Sequence, residues 1–311
     1  MAGWLLALVL LLTGCATQTS ALLADARADL PRQVELKATP FIAQERYQCG
    51  PAALAMSLRA AGFAVDAETL VPQVYLPARQ GSLQVEMLAA ARRNGAFSMA
   101  IAPRLDALVA ELAAGNPVLV LQNLSLPIAP VWHYAVAIGY DLDRGDIILR
   151  SGTIERLAMP LSTFEHTWAR SGYWAMVALA PGRLPATASE AAVLAALVAF
   201  EKTGAPAASG QAYANALRRW PRNMALALGV GNAAYAAGDR AAAAAAFEHA
   251  TLLHPHNGAG FNNLAVTLKE LGRLAQARAA AEKAVALGGQ WRQAALATLA
   301  SIGQAEQGRN P

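Results

Sequence analysis

From Gly204 onward the chain repeats itself every 34 residues. Pro221 and Pro255 are 34 apart, as are Asn223 and Asn257, and Gly204, Gly238 and Gly272 keep the same spacing. Ala216, Ala250 and Ala284 follow it too, and Tyr213 is answered by Phe247. A period of that length is one helix–turn–helix unit, which cannot bury its own apolar face and must stack on its neighbours. Small residues at Gly231 and Ala265, and at Ala243 and Ala277, let helices approach closely, and the glycine ends the first helix of each pair. Three units are expected at 190–223, 224–257 and 258–289, with "WRQAALATLASIG" as a closing helix. The first unit is degraded, because Leu197 and Ser209 replace its small residues.

The remainder reads differently. Strands are expected at "PVLVLQ" (117–122), "HYAVAIGY" (133–140), "DIILR" (146–150) and "WAMVAL" (174–179), and helices at 49–61, 83–94 and 105–114. "PGRLPATASE" (181–190) has the prolines and small polar residues of a linker. The 311 residues therefore divide into a mixed domain over 36–181 and an all-α domain over 190–311. With 55% hydrophobic and 15% charged residues the chain can build a sizeable core. The net charge of +4 comes from scattered Lys and Arg, with no basic run interleaved with aromatics, which argues against a nucleic-acid partner.

The N-terminus, "MAGWLLALVLLLTGCATQTS", holds an apolar run from Trp4 to Leu12. The run is too short to span a bilayer as a helix and long enough for a secretory signal. It ends in "LTGC", which resembles a bacterial lipobox. That resemblance implies cleavage after residue 14, lipid on Cys15 and a protein anchored in the cell envelope facing the periplasm. Ala16 lacks the aspartate associated with inner-membrane retention, so the outer membrane is preferred. No Lys or Arg precedes the run, a departure from the usual signal. Residues 16–35 are expected to be a polar tether.

With Cys15 lipidated, Cys49 is the one remaining thiol of the two cysteines, and it stands in "QERYQCGPAALAMSLRAAG". Pro51 suits a first helical turn and Gly62 a helix end, so Cys49 lies at a helix N-terminus. The partial positive charge there favours a thiolate, as a nucleophile requires. Gln44, five residues upstream, can aim its amide with the Cys49 N–H at an oxyanion. The base expected is His133, which opens a strand whose Ala135, Ala137 and Gly139 leave room on its face. His166 lies outside the strands, and His249, His254 and His256 straddle a repeat boundary with no acidic or cysteine ligand beside them, so no metal site is expected.

The order Gln–x4–Cys–Gly–Pro–Ala, then "GNPVLVLQ", then "HYAVAIGYD", resembles the papain-like cysteine peptidase domain of bacteriocin-processing transporters, which cuts leader peptides after a double glycine. The likeness runs over roughly residues 40–180, and "GSLQVEMLAAARRNG" fits that family's intervening helix. It implies Cys49 as nucleophile, His133 as base and Gln44 as oxyanion donor, with no cofactor. The 34-residue period resembles the tetratricopeptide repeat. The fold class implied is an α+β papain-like peptidase domain followed by an all-α tetratricopeptide-repeat domain.

Two departures stand out. No membrane helices follow and no Gly-Lys dipeptide exists, so a transporter's phosphate-binding loop is absent. The family's aspartate that orients the histidine is replaced, in "DIILRSGT", by Ser151. A hairpin loop over 141–145 would pair Tyr140 with Asp146 and set His133 opposite Thr153. Asp146 would then lie roughly 23 Å away at ~3.3 Å per residue, leaving Ser151 or Thr153 to fix the imidazole, or Glu155 to reach back. Two functions stay open. One is an anchored peptidase whose repeats recruit peptide substrate or a protein partner. The other is an inactive peptide-binding scaffold. Asn232, Asn262 and Asn263, on first helices of repeats, are expected to line a concave peptide-binding face.

Overall fold

The computed structural model describes residues 16–24, 30–43 and 48–308. The chain divides into two compact units, the first running to Leu179 and taking in Pro185–Ala188, the second comprising Ala180–Leu184 and Ser189 onward.

The described elements of the first unit are α1 (Thr17–Ala24), β1 (Gln33–Glu35), α2 (Cys49–Ala60), α3 (Ala67–Val74), β2 (Tyr75–Leu76), β3 (Gly81–Ser82), α4 (Gln84–Arg93), β4 (Phe97–Ala100), α5 (Leu105–Ala113), β5 (Val118–Asn123), β6 (Trp132–Asp141), β7 (Asp146–Ser151), β8 (Ile154–Pro160), α6 (Leu161–Ala169) and β9 (Ala175–Leu179). The sheet runs β4–β9–β5–β6–β7–β8, with neighbours antiparallel, and β1 pairs with the far half of β6. Every residue of β5 and β9 is buried, as their unbroken apolar runs require.

Helix α2 has no polar face through its first ten residues, and Gly50 to Leu58 are all buried. Its Leu54, Met56 and Leu58 share a core with Leu119, Leu121, Tyr134, Val136 and Ile138 of the sheet. Pro51 enters the first turn, where its missing N–H costs nothing. Gly139 is required where β1 crosses β6, because a Cβ there would stand 2.9 Å from the Glu35 Cα.

Residues 17–24 and 33–35 correct the expectation of a tether there. Helix α1 buries Thr19 and Leu22. The carboxylate of Glu165 on α6, itself 2% exposed, accepts the N–H of Gln18 at 3.0 Å and of Thr19 at 2.6 Å. The Gln18 side chain in turn accepts the Leu105 N–H at 2.6 Å. The partner carboxylate is 147 residues away in sequence, so a short polar helix that depends on it leaves no local signature.

The second unit contains α7 (Glu190–Glu201), α8 (Pro206–Arg219), α9 (Met224–Ala236), α10 (Arg240–Leu253), α11 (Gly258–Glu270), α12 (Leu274–Leu287) and α13 (Arg292–Gln307). The period now has a physical cause. Ser189, Asn223 and Asn257, spaced by 34, each cap a first helix by accepting the N–H three residues on. Gly238 and Gly272 take positive φ just past those helices. A Cβ on Gly231 would enter the Phe247 ring, so the small position is what lets α9 and α10 close.

Candidate active site

Cys49 begins α2 and is a free, half-buried thiol. Burial pushes it above the ordinary thiol range, while the backbone N–H groups of Tyr134, Gly50 and Cys49 itself act in the other direction. This runs against the expected lowering of the thiol pKa: removing the sulfur from water outweighs the backbone N–H groups that face it. The glycine after the cysteine is required by packing, because a Cβ on Gly50 would stand 2.7 Å from the Ser82 Cβ and collide with its hydroxyl. That serine belongs to the β2–β3 hairpin, and its carbonyl accepts the Tyr134 hydroxyl at 3.0 Å. Strand β6 therefore fixes the hairpin through the Tyr134 side chain and faces the thiol with the Tyr134 N–H.

His133 precedes Tyr134 on β6 and is half-buried, which lowers its pKa and leaves the imidazole neutral at pH 7. Its Nε2 lies 2.9 Å from the Ser151 hydroxyl. The register that brings them together differs from the expected one and returns to it. At the hairpin Asp141, not Tyr140, faces Asp146, and a one-residue bulge at Ile138 then sets Ala137 opposite Leu149 and Val136 opposite Arg150. Thr153 sits in the exposed turn between Ser151 and Ile154 rather than across from the histidine. Glu155 does not reach back: it is exposed, and its carboxylate lies 3.6 Å from Arg150. Asp146 pairs with Arg144 at 3.3 Å.

A cavity of about 960 Å³ is lined by Cys49, His133, Ser82, Trp132, Tyr134 and Arg170, among others. Among the described residues the imidazole's side-chain partner is Ser151, not the thiol. Gln44 and Cys15 lie outside the described residues. Of the three asparagines, Asn232 is exposed and Asn263 half-buried, and the Asn263 amide donates to the Asn232 Oδ1 at 3.2 Å. Asn262 corrects the expectation, being 8% exposed and accepting the Thr298 hydroxyl of the closing helix at 2.9 Å. It serves the helix stack, not a free face. Sequence reasoning missed Ser82, Trp132 and Arg170, which a two-residue strand, a loop end and a helix end bring to the cavity without any motif.

Residues 36–176 match the model of the Peptidase_C39 like family. No curated protein matches the chain. Among solved structures the chain is similar to a protein of Bacillus anthracis classed as a C39-like peptidase, at 20% identity and a TM-score of 0.39, covering 47% of this chain and 97% of that one. It is also similar to the first TPR of Spaghetti bound to an HSP90 peptide, at 18% identity and a TM-score of 0.35, covering 38% of this chain and 93% of that one. A third is the type III secretion chaperone SycD of Yersinia enterocolitica in complex with a peptide of the translocator YopD, at 14% identity and a TM-score of 0.35, covering 37% and 92%. The sheet-containing unit has a C39-like fold, and a region of paired helices capped at a 34-residue period follows it.

Proposed function

We propose that the C39-like unit is a cysteine peptidase of the double-glycine type, held at the cell envelope through lipid on Cys15. The observation that carries the reading is a single cavity lined by Cys49 and His133, with the imidazole held at Nε2 by Ser151. With Nε2 engaged, Nδ1 is the nitrogen left to act as base. The resting pair is a neutral thiol and a neutral imidazole, since burial raises one pKa and lowers the other. On attack the Cys49 sulfur bonds to the scissile carbonyl carbon and its proton passes to Nδ1. The tetrahedral oxyanion is met by the Cys49 N–H and the Gln44 amide. The imidazolium returns the proton to the leaving amine as the C–N bond breaks, and water then hydrolyses the thioester. Ser151 supports the imidazolium less than a carboxylate would, so slow turnover is expected. The repeats recruit substrate or a partner through the face bearing Asn232 and Asn263.

The test is labelling of the full chain with a peptide aldehyde ending in Gly-Gly. Covalent capture that is lost in Cys49→Ala and slowed in His133→Ala supports the peptidase. Capture that is indifferent to His133 removes it from the role of base. A second reading, an inactive peptide-binding scaffold, is favoured by the raised thiol pKa and by Ser151 in place of an aspartate. It requires Cys49→Ala to bind a Gly-Gly peptide as well as the parent protein does while neither cleaves it. The anchor is tested separately: Cys15→Ser should move the protein from the membrane fraction to the soluble periplasm.

A further inference from the structure

From the end of β5 to the first residue of β6 the chain reads Leu124-Ser-Leu-Pro-Ile-Ala-Pro-Val-Trp132, nine residues without a charge. The loop is ordered by its own bonds. The Asn123 side chain accepts the N–H of Ser125 at 3.0 Å and of Val131 at 2.9 Å, tying both ends together. The Leu124 N–H donates to the Val131 carbonyl at 2.9 Å, and Ala129 to Leu126 at 3.1 Å. The loop nevertheless turns its large side chains outward. Ile128 is 91% exposed and Leu126 60%, with Val131 and Trp132 more than half exposed. So dense an outward apolar patch marks a surface that meets something.

The base of this loop and the N-terminal segment are held by the same helix. Glu165 of α6 accepts the N–H groups of Gln18 and Thr19, and Arg170, at the end of α6, donates to the Asn123 carbonyl at 3.3 Å. Arg170 follows Glu165 by five positions, roughly 8 Å along the helix axis at ~1.5 Å per residue. Only Ala16 and Thr17 stand between Cys15 and the Glu165 latch. A lipid on Cys15 would therefore hold this side of the unit within a few residues of the bilayer, with no slack tether between.

We propose that the β5–β6 loop inserts in the membrane surface, with Ile128 and Leu126 at its tip, Trp132 at the level of the headgroups and Arg170 behind them facing anionic lipid. An outward apolar tip, an interfacial tryptophan and a basic residue at the base are the elements of a surface-inserting segment. Trp132 and Val131 also line the cavity with Cys49, so the cavity would open at the bilayer and take peptide lying along it. The proposal rests on the lipid-anchor reading above and is independent of whether the site cleaves.

The experiment introduces a reporter at the tip, Ile128→Trp, and a control at an exposed position of the repeats, Val198→Trp. The full chain is reconstituted in vesicles of phosphatidylethanolamine and phosphatidylglycerol, with and without brominated acyl chains, and wild-type emission is subtracted. The expected result is a blue-shifted Ile128→Trp signal, most of it lost with brominated lipid, while Val198→Trp is unaffected. If the protein does not sediment with the vesicles, the anchor reading fails. If it sediments and the Ile128→Trp signal is unquenched, or Val198→Trp is quenched equally, the loop inference is overturned. A blue shift caused in lipid-free detergent by a synthetic peptide ending in Gly-Gly, with no bromolipid quenching, assigns the loop to substrate and overturns it as well.

Discussion

The Ser151 hydroxyl lies 2.9 Å from the His133 Nε2. The contact can fix the tautomer but adds no negative charge. Ser151→Ala should lower kcat/KM by roughly fivefold, the equivalent of about one neutral hydrogen bond of ~1 kcal/mol. Ser151→Asp should raise it and lift the His133 pKa, read from the acid limb of the rate profile. An Asp variant no faster than the parent would remove this residue from the orienting role.

Cys49 and His133 are both held neutral by burial, and that has a kinetic consequence. Alkylation of Cys49 by iodoacetamide should be slow at neutral pH and rise in one step above the ordinary thiol value of about 8.5. A preformed thiolate–imidazolium pair would instead keep the rate high down to about pH 5–6. A flat profile across that range would contradict the neutral pair.

The same shifts affect stability, with opposite signs. The His133 pKa is lowered on folding, so its contribution is present above the unfolded value of about 6.5 and is lost as pH falls through the folded value. The Cys49 pKa is raised, so its contribution is present below about 8.5 and is lost as pH rises through the folded value. Thermal melts from pH 5 to 10 should show the alkaline loss diminished in Cys49→Ala and the acid loss diminished in His133→Ala.

Gly50→Ala would drive a Cβ into Ser82. Overpacking of this kind costs roughly 1–3 kcal/mol, so the melting temperature should fall by several degrees, at about 2–4 °C per kcal/mol. Adding Ser82→Gly removes the colliding atoms and should restore most of the loss. Failure of the double variant to recover would mean that the collision is not the cause.

Glu165→Ala removes the acceptor for the Gln18 and Thr19 N–H groups. Hydrogen bonds to a charged group are worth about 1.5–3 kcal/mol, so amide exchange over residues 17–24 should quicken at least tenfold while the sheet amides are unchanged. Unchanged exchange in that segment would show that α1 is held by its apolar contacts alone.

Much of this was legible along the chain, because it follows from local rules. Asparagines and glycines at a fixed period cap and end helices, which is why the pairs α7–α12 could be located to within a few residues. Apolar runs marked β5, β6, β7 and β9, and Pro51 marked the turn that sets Cys49 at the head of α2. The short strands β1, β2 and β3 and the helices α1, α3 and α6 left no comparable pattern. Strand β1 exists through β6 and helix α1 through Glu165, both far off in sequence.

What the tertiary structure alone decided was the environment of those residues. A thiol at a helix N-terminus reads as an anion until the sheet and the β2–β3 hairpin bury it, and desolvation then reverses the direction of its pKa. Asn262 reads as a free amide until the closing helix covers it with Thr298. Ser151 meets His133 through a strand ladder that a single bulged residue at Ile138 shifts into register. Sequence determines what each segment can form by itself, because capping, periodicity and backbone restriction act over a few residues. Charge state and contact depend on which surfaces lose their water, and that is decided only when the segments pack.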